Sequence, residues 1–219
     1  MKGFIFDLDG VIVDTAKYHF LAWKKLAEDL GIGFTIQDNE RLKGVSRTHS
    51  LEILLALGNV EATEEEKKEW MQQKNEDYLR YVNRMDEKEV LPGVLPALRL
   101  LKKKGAGIAL GSASKNARII LEKTGIIFLF DVIVDGNDVS EAKPDPEVFV
   151  LAAEQLDVDA TACVVFEDSV AGIAAANTAG MLSIGIGEAD VLKEADRVFP
   201  DFTQIDVEAL LAQSPKNNQ

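Results

Sequence analysis

The sequence GFIFDLDGV at residues 3–11 begins as an apolar run and then brings in two aspartates, Asp7 and Asp9. In an extended chain, residues two apart point to the same face, so both carboxylates can converge at the carboxyl end of this strand. That end is where open α/β sheets bind ligands. Two carboxylates beside a buried strand are costly unless a cation compensates them, and Mg²⁺ takes hard oxygen ligands. The stretch is therefore compatible with a magnesium site, but on its own it more commonly means that one aspartate caps a turn and the other is solvated.

Short apolar runs alternate with helical patterns along most of the 219 residues. The runs are rich in Val, Ile and Phe and show little in/out alternation, as expected of strands covered on both faces. They lie at 3–6, 107–110, 132–134, 162–166 and 182–186. Helical patterns lie between them at 92–104, 116–123, 146–155 and 169–179. The rhythm predicts an α/β fold, a Rossmann-like parallel sheet with helices on both sides.

The rhythm stops after the first strand, where a segment of roughly seventy residues has helical character, a size that suits a small subdomain. Ala16, Phe20 and Trp23 begin this segment at helical spacing. We therefore predict an α/β core made of residues 1–14 and 90–219, with a helical cap subdomain at 15–89 inserted after the first strand. The polar residues 214–219 are expected to fray.

A second pair of carboxylates, Glu167 and Asp168, follows the apolar run 162–166 and precedes a helical pattern. If the two strands are neighbours in the sheet, this pair can meet Asp7 and Asp9 over one metal ion. Alone, such a pair can also cap a helix and place negative charge at its N-terminus. Two acidic strand ends in one α/β chain favour the metal interpretation.

Two further strand ends carry groups that suit phosphate. The sequence SASKN at 112–116 places the Ser112 hydroxyl and free backbone N–H groups at a strand-to-helix turn. In AKPDP at 142–146, prolines restrict the backbone around Lys143. A lysine fixed in this way can neutralise a transferring phosphoryl group. The ordinary alternatives are a helix-capping serine and a solvated surface lysine.

In this order, the four strand-end motifs resemble those of the haloacid dehalogenase superfamily of phosphotransferases. The resemblance implies an aspartyl-phosphate mechanism in which Asp7 is the nucleophile and Asp9 is the general acid/base. It also implies that Ser112 and Lys143 hold the phosphate. Haloacid dehalogenases proper lack the second aspartate, so Asp9 indicates phosphate chemistry. The implied cofactor is Mg²⁺, and its implied ligands are Asp7, Asp9, Glu167 and Asp168.

The helical segment resembles the cap of the beta-phosphoglucomutase family within that superfamily. The matching stretches are 14–23, 39–47 and Lys74-Asn75, and the run 112–116 fits as well. The resemblance implies that Arg47 grips the distal phosphate of a sugar phosphate and that His19 orients Asp9 when the cap closes. It adds Thr15 to the catalytic group. The implied substrate-binding residues are Gly44, Val45, Arg47, Lys74, Ser114, Lys115, Asn116 and Trp23.

The cap residues also have ordinary structural alternatives. Trp23, at helical spacing, is typical of core packing. Lys43, Arg47 and Lys74 can be surface charges, although the planar fork of Arg47 suits bidentate phosphate binding. His19 can be an exposed or a core histidine.

The resemblance implies an isomerase of the phosphoglucomutase type, which interconverts β-D-glucose 1-phosphate and glucose 6-phosphate. In that cycle, phospho-Asp7 phosphorylates the 6-hydroxyl, and the resulting β-glucose 1,6-bisphosphate turns over and returns its 1-phosphate. A closing cap that keeps water away suits such a cycle. The alternatives are a sugar-phosphate phosphatase of the same superfamily and a catalytically idle sensor of sugar phosphates.

Charge and composition indicate which classes of binding partner to expect. The net charge of −13 argues against a general affinity for nucleic acid, because such binding depends on basic surface. The N-terminal apolar run is broken by Asp7, and no stretch is long and apolar enough to span a bilayer. The single cysteine, Cys163, cannot form an internal disulfide. We expect a cytoplasmic protein that binds a phosphorylated hexose, with no nucleic-acid or membrane partner, and the resemblance implies a monomer.

Overall fold

A computed structural model describes residues 1–42 and 44–213 of the chain. The predictions made for Lys43 and for residues 214–219 fall outside the described residues. Six strands of the described part form one sheet, in the order β3-β2-β1-β4-β5-β6, and every neighbouring pair is parallel. They are β1 Gly3–Phe6, β2 Gly107–Gly111, β3 Val132–Val134, β4 Cys163–Glu167, β5 Leu182–Ile186 and β6 Arg197–Phe199.

The predicted α/β fold and its parallel sheet are confirmed, and the five predicted strands agree with the observed ones to within one residue at each end. The strand β6 is additional to the prediction. It is three residues long, lies at the edge of the sheet and has an exposed first residue, Arg197. Such a short, half-exposed strand carries almost no apolar pattern, which is why the sequence does not reveal it.

Helices cover both faces of the sheet. One face packs against α5 Val94–Lys103, α6 Ala117–Lys123 and α9 Val207–Ala212, and the other against α7 Glu147–Leu156 and α8 Val170–Thr178. In β1, Phe4 and Phe6 belong to the first cluster of core side chains and Ile5 to the second. All three side chains are completely buried. This two-sided burial explains why the strands read as continuous apolar runs.

Four helices lie between β1 and α5, which confirms the predicted helical insertion. They are α1 Ala16–Asp29, α2 Ile36–Glu40, α3 Arg47–Gly58 and α4 Glu64–Val82. Helices α1, α3 and α4 share a hydrophobic cluster of their own, which includes Trp23, Leu26 and Leu54. The limits of the cap at 15 and 89 stay a prediction.

The chain enters and leaves this helical segment at one place. Val13 and Val90 form an isolated antiparallel bridge, and the Leu91 N–H donates to the Ile12 carbonyl oxygen at 2.9 Å. The outgoing and returning chains therefore lie side by side at the carboxyl end of β1. This arrangement places the four cap helices over the end of the sheet where the predicted site residues lie.

Candidate active site

Asp7 follows β1 in the middle of the sheet. The pairing of β1 with β2 and β4 places Gly111 on one side of Asp7 and Glu167 on the other. The Asp7 N–H donates to the Phe166 carbonyl oxygen at 2.9 Å, which continues the pairing with β4 by one residue. The sheet is built outward from β1 in both directions, and open α/β sheets bind ligands at such a switch point.

Lys143, in the loop before α7, reaches between the ends of β1 and β4. Its Nζ lies 2.6 Å from Oδ1 of Asp7 and 2.6 Å from Oε1 of Glu167. A third bond goes to the carbonyl oxygen of Gly111 at 3.1 Å. All three donors of the ammonium group are therefore used in a buried setting. The predicted strand-end lysine does meet the candidate nucleophile.

Burial controls the ionisation of these groups. It raises the pKa of Asp7 to about 7, against the lowering effect of the Lys143 ammonium. Burial also disfavours the charged form of Lys143, but the carboxylates of Asp7 and Glu167 raise the pKa of this lysine above its usual range. The lysine is thus held charged, while Asp7 needs further positive charge nearby to be fully ionised at neutral pH.

Three carboxylates can share one metal ion at this position. Asp7, Glu167 and Asp168 each place an oxygen within 4.8 Å of the others. A divalent cation bound there would supply the further positive charge that the buried Asp7 needs, and an all-oxygen donor set suits Mg²⁺. Gly10 lies so close to the Asp168 carboxylate that a Cβ would overlap it, which limits the positions open to this ligand. The residues present therefore fit the predicted metal.

The carboxylate of Asp9 is held from the cap side. Thr15 Oγ1 donates a hydrogen bond to Oδ1 of Asp9, and Nε2 of His19 lies 3.9 Å from the same oxygen. Burial raises the pKa of Asp9, and the bond from Thr15 partly offsets this. A carboxyl group with a raised pKa suits proton transfer. The metal-sharing group among the described residues does not include this side chain, so its place among the metal ligands stays a prediction.

The loop 112–116 joins β2 to α6, and the hydroxyl groups of its two serines stabilise it through hydrogen bonds to its backbone. The Ser112 hydroxyl accepts from the Ser114 N–H at 3.1 Å, and the Ser114 hydroxyl accepts from the Asn116 N–H at 3.3 Å. The Ser112 N–H donates to the Val134 carbonyl oxygen at 3.0 Å, which fixes the loop to β3. The turn thus presents hydroxyl groups at the sheet end where a phosphate is predicted to bind.

Cationic and neutral side chains of the cap face this loop and Asp7. Burial lowers the pKa of Lys74 to about 7, and the nearby Arg47 charge adds to the effect. Burial likewise lowers the pKa of Arg47 and places the pKa of His19 well below its usual value. Lys74 Nζ lies 2.9 Å from Nδ1 of His19, so a neutral His19 that accepts here carries its hydrogen on Nε2, towards Asp9.

Trp23 combines the two interpretations offered by the sequence. It is buried within the hydrophobic cluster of the cap, as expected of a core residue. Its ring also lies 4.7 Å from Lys74 Nζ and contributes to the wall of the cleft. The packing therefore supports the position of a cation that faces the cleft.

A cleft separates the sheet end from the cap. Most of the predicted site residues line it, namely Asp7, Asp9, His19, Trp23, Gly44, Val45, Arg47, Lys74, Ser112, Ser114, Lys115, Asn116 and Asp168. The predicted residues Thr15, Lys143 and Glu167 stand behind this wall, where they bond to Asp9 or to one another and Asp7.

The cleft wall also includes residues that were not predicted from the sequence. Ser50 lies one helical turn after Arg47 on α3, so the helical period could have placed it on the same face. Asn39 lies on the short helix α2, and its buried Oδ1 has no hydrogen-bond partner in the part of the chain that the structure describes. No local pattern in the sequence distinguishes this asparagine from a polar surface residue.

Residues 1–180, which include the whole of this sheet end and the cap, match the family of haloacid dehalogenase-like hydrolases. The chain belongs to this family. The family match includes each of the strand-end motifs, from Asp7 in β1 to Asp168 after β4.

The names of similar members of the haloacid dehalogenase-like family refer to phosphorylated sugars. The chain is 44% identical over 212 residues to a beta-phosphoglucomutase of Bacillus subtilis, which covers 96% of this chain and 94% of that protein. It is 34% identical to a phosphorylated carbohydrates phosphatase of Thermotoga maritima, over 83% of this chain and 82% of the other. The crystal structure of a beta-phosphoglucomutase from Clostridium difficile matches with a TM-score of 0.93 and 41% identity, over 97% and 96% of the two chains.

Proposed function

We propose that this chain interconverts β-D-glucose 1-phosphate and glucose 6-phosphate through an aspartyl-phosphate on Asp7. The observation that carries the proposal is a cleft with groups suited to phosphate on two opposite sides. Asp7 and Ser112 line one end, and Arg47 with Lys74 lines the cap side. A phosphatase needs the first end alone, whereas a mutase must also hold the phosphate that is not being transferred. The 44% identity to a beta-phosphoglucomutase along nearly the whole chain supports the same activity.

The first half of the cycle moves a phosphoryl group from the enzyme to the sugar. As the O6–P bond forms, the bond between phosphorus and the Asp7 oxygen breaks, and the proton of the 6-hydroxyl passes to Asp9. The product is β-glucose 1,6-bisphosphate. Splitting one displacement into two in this way is the use of a covalent intermediate, and Asp9 supplies the general base.

The second half requires the bisphosphate to turn over in the cleft. Asp7 then attacks the 1-phosphate, the O1–P bond breaks, and Asp9 returns its proton to O1. Glucose 6-phosphate leaves and Asp7 is again phosphorylated. The Lys143 ammonium, 2.6 Å from Oδ1 of Asp7, is placed to neutralise charge on the transferring group. The Arg47 fork would hold the distal phosphate in both orientations.

The proposed cofactor is Mg²⁺, held by Asp7, Glu167 and Asp168. Bound there, the ion would draw charge from the phosphoryl oxygens during transfer. Glu167 is already shared with Lys143 and also accepts from the Ser169 N–H at 2.8 Å, so its carboxylate is oriented before any metal binds. These fixed partners are the kind of support that aligns a metal ligand.

The similarity to phosphoglucomutases supports a phosphorylated hexose as the substrate, and the remaining partner predictions stay proposals. None of the helices in residues 1–42 and 44–213 has the length and apolar character needed to cross a bilayer. A cytoplasmic location, a monomeric state and a lack of nucleic-acid binding are the predictions that accompany the proposed activity.

Product partitioning tests the proposal. The protein is incubated with β-glucose 1-phosphate, Mg²⁺ and a trace of glucose 1,6-bisphosphate, and glucose 6-phosphate and free phosphate are followed together. We expect glucose 6-phosphate in large excess over free phosphate, because the cap closes the cleft against water. A parallel assay with α-glucose 1-phosphate reports the preference for the anomer.

A different product ratio would favour the alternative function. Free phosphate as the main product would mean that water accepts the phosphoryl group, as in the phosphatase relative, and the mutase proposal would fail. Absence of turnover with any sugar phosphate would instead favour a binding protein that uses the same cleft.

A further inference from the structure

One hydrogen bond joins the cap to the phosphate loop across the cleft. Asn75 lies on the cap helix α4, and Asn116 ends the loop 112–116 just before α6. The Nδ2 group of Asn116 donates to Oδ1 of Asn75 at 2.9 Å. We infer that Asn75 is a positioning residue, which latches the cap to the phosphate loop and orients the Asn116 amide for phosphate. This inference rests on the proposed function.

The Asn116 end of the bond is firmly placed. Its residue is buried, its backbone N–H donates to the Ser114 hydroxyl at 3.3 Å, and its carbonyl oxygen accepts from the Ile120 N–H at 3.1 Å. The side chain can still rotate about its own bonds. A bond to Asn75 removes that freedom. It leaves the side-chain oxygen Oδ1 of Asn116 and the second N–H of its amide available to the cleft.

The Asn75 end of the bond is tied to the catalytic wall of the cap. The residue before it, Lys74, lines the cleft and lies 2.9 Å from Nδ1 of His19. Helix α4 therefore presents one side chain to the substrate and the next to the core. A shift of α4 away from the phosphate loop would break the Asn75 bond and withdraw Lys74 together, so the latch couples closure of the cap to its cationic wall.

The latch favours the closed cap by a modest factor. In an open cap both amides would bond to water, so the net gain is that of one neutral hydrogen bond, about three- to tenfold in the ratio of closed to open protein. Water reaches the aspartyl-phosphate when the cap opens. Loss of the bond should therefore raise the share of free phosphate among the products by a similar factor, with a smaller change in the total rate of Asp7 dephosphorylation.

The Asn75→Ala variant tests the latch, and Gln73→Ala is its matched control. Gln73 lies on the same helix and loses a side-chain hydrogen bond of the same length, since its Nε2 donates to Oδ2 of Asp29 at 2.9 Å. That bond lies within the cap and does not reach the core. We expect free phosphate per glucose 6-phosphate to rise about fivefold in Asn75→Ala and to stay at the wild-type value in Gln73→Ala.

A double-mutant cycle with Asn116→Ala identifies the partner. If Asn75 acts through Asn116, Asn75→Ala adds no further change in product ratio once Asn116→Ala is present, whereas Asn116→Ala keeps the effect of its own lost phosphate contacts. An additive effect, or a product ratio in Asn75→Ala that equals that of the control, would overturn the inference. Urea unfolding of Asn75→Ala and Gln73→Ala separates the latch from a general loss of stability, because such a loss would affect both positions of α4 alike.

Hydrogen exchange gives a readout that does not require the mutase activity. Without substrate, the backbone N–H groups of the loop 112–116 should exchange several-fold faster in Asn75→Ala than in Gln73→Ala, as expected for a more open cap. Equal exchange in the two variants would refute the latch even if the wild type proves to be a phosphatase. Faster exchange with no glucose 6-phosphate from the wild type would keep the latch and reject the proposed function.

Discussion

Two buried lysines lie on opposite sides of the cleft, and their surroundings differ. Lys143, on the core side, contacts two carboxylates, those of Asp7 and Glu167. Lys74, on the cap side, has the rings of Trp23 and Tyr78 at 4.7 and 4.8 Å and a neutral histidine at 2.9 Å. The pKa of Lys143 is accordingly raised, whereas burial lowers the pKa of Lys74 to about 7.

The different surroundings of the two lysines indicate how charge is arranged on each side of the site when no ligand is bound. On the core side, the Lys143 ammonium is paired with Asp7 and Glu167, so Asp7 is held in place before the substrate arrives. On the cap side, the buried charge of Lys74 and Arg47 is not compensated by an ion pair within the described residues. A phosphate group would provide that compensation, so the cap is built to gain stability from the substrate.

The largest expected effect comes from the core side. Replacing Asp7 with Asn keeps the shape of the side chain but removes the nucleophile, and turnover should fall by about 10⁴-fold or more. Sugar-phosphate binding should persist, because the cap cations remain. Turnover is measured by glucose 6-phosphate release, and covalent phosphate by intact-protein mass spectrometry. Retained turnover or a phosphorylated variant would show that another residue is the nucleophile.

The next effect concerns the stability of the core side. Lys143→Met leaves the carboxylates of Asp7 and Glu167 buried without their shared cation, and should lower the free energy of unfolding by about 3–5 kcal/mol. Urea unfolding with EDTA measures this loss. Adding Mg²⁺ should restore part of it, since the ion supplies positive charge at the same carboxylates. An unchanged stability would contradict the assigned ion pairs.

The same substitution on the cap side should act in the opposite sense. Lys74→Met removes a charge that folding penalises, so stability should be unchanged or raised by about 1 kcal/mol, while kcat/KM falls roughly 10- to 100-fold. A lysine whose pKa drops to about 7 on folding destabilises the protein below pH 7, and this penalty fades as the pH rises towards its usual value of 10.5.

The pH dependence provides the control for this variant. Any advantage of Lys74→Met over the wild type in unfolding free energy should be larger at pH 6 than at pH 9. A loss of several kcal/mol at pH 6, as expected for Lys143→Met, would mean that Lys74 is compensated in the same way as the core lysine.

Metal binding at the core side should stabilise the folded protein. At ten times its dissociation constant, Mg²⁺ should raise the free energy of unfolding by about 1.4 kcal/mol through mass action. Asp168→Asn should remove most of this gain, because it deletes one of the three clustered carboxylates. Thermal unfolding at increasing Mg²⁺ concentrations measures this stabilisation in the wild type and in Asp168→Asn. Equal stabilisation of the variant would place the metal elsewhere.

The smallest effect is a proton taken up on the cap side. At pH 8 the phosphates of glucose 1,6-bisphosphate are dianionic and Lys74 is mostly neutral, so binding should recharge the lysine and take up a fraction of one proton per site. Calorimetry of the Asp7→Asn variant in buffers of different ionisation enthalpy measures this uptake without turnover. Its persistence in Asp7→Asn/Lys74→Met would show that another group binds the proton.

The sequence was most informative where chemistry coincides with the end of an element. The two acidic strand ends at Asp7 and Glu167 were located from apolar runs alone, and the structure brings them together at neighbouring strands. The serine turn after β2 was located in the same way. The cap residues were located through a resemblance, because neither Arg47 nor Lys74 has a local pattern that separates it from a surface charge.

Features that depend on long-range packing were not accessible in this way. The place of Asn39 in the cleft wall and the bond that joins Asn75 to Asn116 both depend on packing between distant parts of the chain, and no periodicity encodes them. The strand β6 was missed for a related reason, since its three residues have too little apolar pattern of their own.

By itself, the sequence determined the elements of this protein and the chemical groups at their ends, because hydrophobic period and turn residues act over a few neighbouring positions. Only the tertiary structure decided which groups meet and how they ionise. Lys143 lies 136 positions from Asp7 and 24 from Glu167, and it contacts both because β1 and β4 are adjacent in the sheet. The lowered pKa of Lys74 and the raised pKa of Asp7 likewise arise from burial, which depends on the packing of the whole chain.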